Sequence, residues 1–202
     1  MITIIDYAIG NLRSVAKALE HLGFANEISG DPDTIQRAER LILPGVGAFG
    51  DAMEELNRRG LAPAIKRAVA AGRPMLGICL GMQVLMETSE EAPGVAGLGL
   101  LRGTVRRFQT TLKVPHMGWN RVRRTSDAPL FDGLTDEDYF YFVHSYYVDP
   151  LREELDAVAG RTEYGLDFPS VLWRGNLVAT QFHPEKSQTR GLAMLRNFAR
   201  MT

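Results

Sequence analysis

The sequence predicts an α/β fold: a central, mostly parallel sheet flanked by helices on both faces, with additional antiparallel strands in the C-terminal half. Three observations carry that expectation. Short apolar runs alternate with helix-period segments through the first half of the 202 residues, the pattern that successive βα units produce. The second half is rich in strand-like runs with few helical segments between them. The two-residue link Gly175-Asn176 joins "SVLWR" to "LVATQFH", a strong hairpin signal.

The elements follow in order. "ITII" reads as the first strand, and "NLRSVAKALEHLG" as a helix with Asn11 at its N-cap, Leu12, Val15, Ala16 and Leu19 on one face, and Gly23 as its stop. "FANEI" is the next strand. "DPDTIQRAE" forms a short helix, with Asp31 as cap and Pro32 at the first position, where a missing N–H costs nothing. "RLILP" is the third strand, and helices at about 49–58 and 61–71 follow, the second ending at Gly72. Strand "PMLGI" leads into the cysteine and the helix-prone "MQVLMET". Strands "GTVRRF", "GWNRVRR", "DYFYFVHSYYV" and the hairpin come next. A last helix, about 187–200, turns Leu192, Leu195, Phe198 and Ala199 inward. With 45% hydrophobic residues and no repeat or linker, 1–202 reads as a single domain.

The formal net charge is -1 and both signs are interspersed. No broad basic surface for nucleic acid or anionic lipid is expected, so small molecules and proteins are the expected partners. A single cysteine makes no internal disulfide, and the N-terminus lacks the features of a signal peptide, which together suggest a cytoplasmic protein. No apolar run approaches the roughly 18 residues of a membrane span.

The lone thiol stands in "GICLGMQ", which has the form Gly-x-nucleophile-x-Gly after a strand and before a helix. Such a sharp turn strains the nucleophile's backbone and leaves no room for side chains beside it, so Gly77 and Gly81 suit Cys79 as a nucleophile. The turn also aims the Leu80 N–H at the site and places sulfur at a helix N-terminus, where thiolate is favoured. The plain alternative is a buried cysteine acting as a small hydrophobe. "QFHPEKS" supplies what a thiol nucleophile needs: His183 as base and Glu185, two residues on and on the same side of the chain, to orient it. Taken alone, that pair also reads as a strand-end histidine beside a surface glutamate. "PGVGAFGDAM" is a glycine-rich loop opening a helix, able to present N–H groups to an oxyanion. It lacks the Lys-Ser/Thr of a phosphate-binding loop.

His21, His116 and His144 lack metal-ligand spacing, so no metal and no cofactor are expected. Trp119 and the aromatic run "YFYFVHSYY" suit a core or a partner-binding patch.

In this order and at these distances, "PGVGAF", "GICLGMQ" and "QFHPEKS" resemble the class I, triad-type glutamine amidotransferases. "GNLRS", "PHMGWN", "YFVHSYY" and "HPEKSQ" extend the likeness over nearly the whole chain, toward the glutaminase subunits of imidazole glycerol phosphate synthases. One departure is Ala8 in "DYAIGNL", where glycine is expected. The resemblance implies a flavodoxin-like architecture and hydrolysis of L-glutamine through a thioester on Cys79, with His183 as base and proton donor and Glu185 orienting it. It implies an oxyanion hole from the backbone N–H groups of Leu80, Val46 and Gly47, and substrate contacts from Gly45, Gln83, Ser145 and Tyr146. The partner it implies is a (β/α)8-barrel cyclase subunit, which takes the ammonia and converts PRFAR to imidazole glycerol phosphate and AICAR. Asn11, Trp119, Tyr141 and Lys186 are the expected interface. Family members are weak glutaminases until partner and ligand are bound, and peptide reorientation at Gly45-Val46-Gly47 is one way to gate them. Alternatives are another amidotransferase subunit, a stand-alone cysteine amidohydrolase, or a non-catalytic binding module on the same fold.

Overall fold

The computed structural model of the protein describes residues 1–201. In chain order the elements are β1 (Ile2–Ile5), α1 (Leu12–His21), β2 (Asn26–Ser29), α2 (Pro32–Arg37), β3 (Arg40–Gly45), α3 (Phe49–Arg58), α4 (Leu61–Ala70), β4 (Met75–Cys79), α5 (Leu80–Gln83) and β5 (Thr88–Ser89). They continue through β6 (Gly103–Arg107), β7 (His116–Arg121), β8 (Arg123–Arg124), β9 (Tyr139–His144), β10 (Tyr146–Pro150), β11 (Val158–Glu163), β12 (Asp167–Arg174), β13 (Leu177–Thr180) and α6 (Gln188–Arg200).

The main sheet runs β2-β1-β3-β4-β13-β12-β11-β8. Its first five strands are parallel and the last three antiparallel, so the expected change of character between the two halves is present within one sheet. Strand alternation divides the core. Leu41, Leu43 and Met75 face α2, α3 and α4 together with Ile35, Met53 and Ile65, while Ile42, Leu76 and Ile78 face α1 and α6 together with Leu19, Leu195 and Phe198. Both faces of the parallel strands are covered, which is why their sequences are almost continuously apolar.

The local signals work where the chemistry is local. Asp31 accepts a hydrogen bond from the Thr34 N–H at 2.9 Å and starts α2 with Pro32. Gly23 and Gly72 take φ of 81° and 82° where α1 and α4 end. Asn11 precedes α1 but makes no side-chain cap bond. In α6, Leu195, Phe198 and Ala199 are buried as expected, with Gly191 and Met194, while Leu192 is only partly covered. The Gly175-Asn176 link closes the β12–β13 hairpin, with Arg174 opposite Leu177.

Two smaller sheets complete the C-terminal half: β10-β6-β5, and the antiparallel ribbon β7-β9. The ribbon pairs His116 with His144, Gly118 with Phe142 and Trp119 with Tyr141. Period-2 alternation therefore sends His116, Phe140, Phe142 and His144 inward and Met117, Trp119, Tyr139 and Tyr141 outward. Among the described residues no helix is long and apolar enough to cross a membrane.

Ala8, the departure from the family pattern, has φ of 67° in the turn after β1, with its N–H held by Asp6 Oδ1 at 2.8 Å. A left-handed conformation costs a residue with a Cβ roughly 1–2 kcal/mol, and glycine avoids most of that. Ala8→Gly should therefore stabilise the fold by about 1 kcal/mol, after the loss to greater unfolded-chain freedom. A urea midpoint that does not rise would show that this turn carries no such strain.

Candidate active site

The site forms at the carboxyl ends of three adjacent parallel strands. Gly45 of β3 lies opposite Cys79 of β4, and Thr180 of β13 lies opposite Ile78. The residues that follow β13 are thereby carried over the thiol. Cys79 has φ of 56° and ψ of -110°. A Cβ on Gly77 would stand 2.7 Å from the carbonyl oxygen of Gly81, and a Cβ on Gly81 would stand 1.8 Å from that of Leu43. Both contacts are with backbone, which cannot yield, so glycine is required on each flank of the cysteine.

The helix expected through "MQVLMET" stops at Gln83. Its next carbonyls are taken by the returning chain: those of Val84, Leu85 and Met86 accept from the N–H groups of Leu98, Leu100 and Gly99. A single turn has little macrodipole. The help expected from a helix N-terminus thus reduces to the free N–H groups of that first turn, Leu80 foremost.

His183 and Glu185 do not sit on the strand as expected. β13 ends at Thr180, and a 3-10 turn over Pro184–Lys186 folds the glutamate back on the histidine. His183 Nδ1 and Glu185 Oε1 are 2.8 Å apart, with both side chains almost wholly buried. The turn is tied down by Ser187, whose Oγ donates to the His183 carbonyl at 2.6 Å and accepts the Tyr141 N–H at 2.9 Å. The Cys79–His183 contact is looser, since Nε2 makes no hydrogen bond of ordinary geometry, and Glu185 Oε2 and the Tyr7 hydroxyl are likewise buried without a partner. Burial disfavours the imidazolium, but its close approach to Cys79, and then the hydrogen bond and charge of Glu185, outweigh it and raise the His183 pKa above its ordinary value. Tyr7 is shifted upward by burial, and further by the charge of Cys79.

A cleft of about 400 Å³ opens over the sulfur, lined by Val46, Gly47, Cys79, Leu80, Gln83, Glu91, Pro115, Val143, His144, Ser145, Tyr146 and His183. Most of the residues expected at the site meet there. Gly45 does not line it; a Cβ on Gly45 would stand 2.5 Å from the Tyr7 hydroxyl and 2.8 Å from Leu80 Cβ, so its smallness lets the end of β3 close on the elbow. Gly47 has φ of 92°. Gln83 Nε2 donates to the Tyr146 carbonyl at 3.0 Å and to Gln181 Oε1 at 3.2 Å.

Sequence reasoning passed over two residues. Gln181 is fully buried and directs its Nε2 at the Cys79 sulfur, 3.8 Å away. Its signal was a polar residue directly after the apolar strand "LVAT". Glu91 brings a carboxylate to the cleft and uses Oε2 to accept the Phe49 N–H at the start of α3, at 2.8 Å.

Trp119 and Tyr141 are in edge-to-face contact, with ring centroids 6.0 Å apart, on the outer face of the ribbon. Trp119 is 46% exposed, beside Met117 at 63% and Tyr139 at 50%. The Tyr141 carbonyl accepts the His183 N–H at 2.9 Å, so this face adjoins the turn that carries exposed Lys186. α1, which begins after Asn11, packs against the same turn.

Residues 3–201 match the family model of class I glutamine amidotransferases. The chain belongs to that family. Among relatives of this amidotransferase, imidazole glycerol phosphate synthase subunit HisH of Moorella thermoacetica is 54% identical over 200 residues, covering 99% of this chain and 94% of its own. Subunit HisH 1 of Methanococcus maripaludis is 49% identical over 205 residues, covering both chains fully. Among solved structures, one described as a glutamine amidotransferase aligns with a TM-score of 0.77 at 22% identity, over 98% of this chain and 96% of that one. A PurLQS structure from Thermotoga maritima gives 0.77 at 20%, with the same coverage. At such identities these two likenesses speak for the fold, and they agree with the class I amidotransferase architecture that the sequence suggested.

The raised His183 pKa has a testable consequence. The stability His183 contributes is fully present below its unfolded value near 6.5 and is lost as pH rises through the higher folded value. In the amidotransferase, histidine NMR should show His183 still protonated at neutral pH. Cys79→Ala should lower its titration most and Glu185→Gln less; an unmoved midpoint in both variants would disprove the coupling.

Proposed function

We propose that this chain is the glutaminase subunit of an imidazole glycerol phosphate synthase, hydrolysing L-glutamine and passing the ammonia to a (β/α)8-barrel cyclase subunit. The observation that carries the reading is the end-to-end match, at about half identity, to chains named as that subunit. The geometry over Cys79 supports it. On this reading residues 1–202 act as one glutaminase domain, in the cytoplasm, where a lone free thiol stays reduced.

The mechanism follows from the groups in the cleft. His183 already holds the proton given up by the Cys79 thiol, and Glu185 holds that imidazolium by its Nδ1 and stabilises it. The sulfur attacks the side-chain amide carbon of glutamine. The carbonyl electrons move onto oxygen, which the N–H groups of Leu80, Val46 and Gly47 receive. Collapse of the tetrahedral centre breaks the C–N bond, and His183 returns its proton to the leaving ammonia. Water, deprotonated by His183, then opens the thioester to glutamate and frees the sulfur. Each oxyanion donor is worth about a hundredfold or more in rate. Gln83, Ser145 and Tyr146 bind the amino-acid end of the substrate, with Gly45 shaping the floor beneath.

The cyclase docks over Asn11, Trp119, Tyr141 and Lys186, and itself converts PRFAR to imidazole glycerol phosphate and AICAR. An exposed aromatic pair on the ribbon suits that role, because desolvated tryptophan and tyrosine dominate interface energetics. Trp119→Ala should weaken assembly with the cyclase by about 2 kcal/mol or more, measured calorimetrically; unchanged affinity would remove Trp119 from the interface.

The reading as a whole is tested by glutamate release from glutamine, with and without the cyclase subunit and a PRFAR-type ligand. Strong activation by the partner, abolished by Cys79→Ala, is expected. Full activity of the chain alone would favour a stand-alone amidohydrolase, and no activity under any condition would leave a binding module.

A further inference from the structure

Two buried histidines, His116 and His144, take no part in the mechanism above, yet His144 lines the cleft and His116 is hydrogen-bonded to it. Their partners are determined one after another. Asn120 fixes the first direction: its Oδ1 accepts the Arg121 N–H at 2.8 Å, and its amide nitrogen donates to the Glu163 carbonyl at 2.9 Å. A backbone N–H only donates and a carbonyl only accepts, so this amide has one orientation.

The same amide nitrogen lies 3.3 Å from His116 Nε2, which must then accept. A neutral imidazole accepting at Nε2 carries its proton on Nδ1. His116 Nδ1 is 3.0 Å from His144 Nε2, which accepts in turn, and His144 Nδ1 donates to the Tyr146 carbonyl at 2.8 Å. The same carbonyl also accepts from Gln83, whose second amide hydrogen reaches Gln181 Oε1, leaving Gln181 Nε2 as a donor to the Cys79 sulfur.

We propose that His116 and His144 are positioning residues, the middle of a buried hydrogen-bond chain of fixed direction that sets the Tyr146 wall of the cleft and, through Gln83, the Gln181 donor on the Cys79 sulfur. The proposal rests on the glutaminase reading for its kinetic consequences and on geometry alone for the chain.

Adding a proton to either imidazole would set N–H against N–H and break the chain. The surroundings hold both neutral. His116 is stacked between Tyr164 and Phe142, with ring centroids 4.0 and 4.8 Å away, and burial lowers its pKa to about 4. His144 lies among Phe108, Phe142 and Phe168, and burial brings it to about 3, opposed by its bond to Tyr146 and aided by the charges of His116 and His183. The titratable groups facing the pair are Tyr164 at His116 and His183 at His144. Phenylalanine would fill both sites with less desolvation, and a net buried hydrogen bond adds only about 1 kcal/mol. What the pair adds is direction and distance. His116 and His144 face each other across the β7–β9 register, so the ribbon that presents Trp119 on one side is tied to the cleft from the other.

The first test needs no variant. In 15N-histidine-labelled wild-type protein, His116 and His144 should both appear as neutral Nδ1–H tautomers that do not titrate from about pH 5.5 to 8, given the ordinary midpoint near 6.5. An Nε2–H tautomer, or a midpoint in that window, would overturn the chain. The second test measures glutamine kinetics with the cyclase bound. His116→Phe keeps the ring stacking and lies outside the cleft lining. It should raise KM for glutamine about fivefold, the size of one net hydrogen bond, with a smaller fall in kcat. Gln181→Leu should instead act mainly on kcat. A folded His116→Phe with wild-type KM would refute the positioning role. An inactive wild type would overturn the glutaminase reading, and the NMR result would then decide the chain by itself.

Discussion

The site depends on one close approach of main chain to main chain. At Gly81 the turn after β4 lies so near the end of β3 that a single added carbon would sit 1.8 Å from the Leu43 carbonyl oxygen. That approach places Leu80 against Gly45 and brings Val46, Gly47 and Leu80 to one cleft. It also holds Cys79 at a positive φ, which costs roughly 1–3 kcal/mol. Strands β3, β4 and β13, paired in register and covered on both sides, are rigid enough to sustain the cost.

Unsatisfied polar atoms cluster in the same place. Of the four buried side-chain atoms without partners among the described residues, three belong to Tyr7, His183 and Glu185, around the cysteine. A buried polar atom left wholly without a partner forfeits about 1–3 kcal/mol of stability. The rest of the core is almost free of such losses. Stability is therefore surrendered where a ligand or a moving proton can later make use of the free valence, a distribution typical of sites shaped for chemistry.

What could be read from the sequence divides by distance along the chain. The helix start at Asp31-Pro32 and the helix stops at Gly23 and Gly72 were legible because their hydrogen bonds and φ angles are local. The glycine pair around Cys79 was legible because its steric reason is generic to the turn. The early end of α5 was not, since the groups that take its carbonyls arrive from residues 98–100. Nor was the His116–His144 pair, which exists only through the ribbon register. Trp119 could have been core or patch; strand alternation put it outside once Tyr141 was known to be opposite. Leu192 and Met194 show the ordinary uncertainty of a helix face, where the apolar residues are recognisable but the rotation of the stripe depends on what it meets.

The ends of the main sheet have a consequence for assembly. At one edge β8 is two residues long and both are exposed arginines; at the other, β2 is the four-residue "NEIS", with Glu27 half-buried and Ile28 exposed. Short borders, one of them charged, are poor templates for strand addition. Borders of two and four residues offer little backbone to a joining strand, so growth of the sheet by pairing is disfavoured. Recognition has to proceed instead through side chains on a face, where shape and chemistry can discriminate one protein from another.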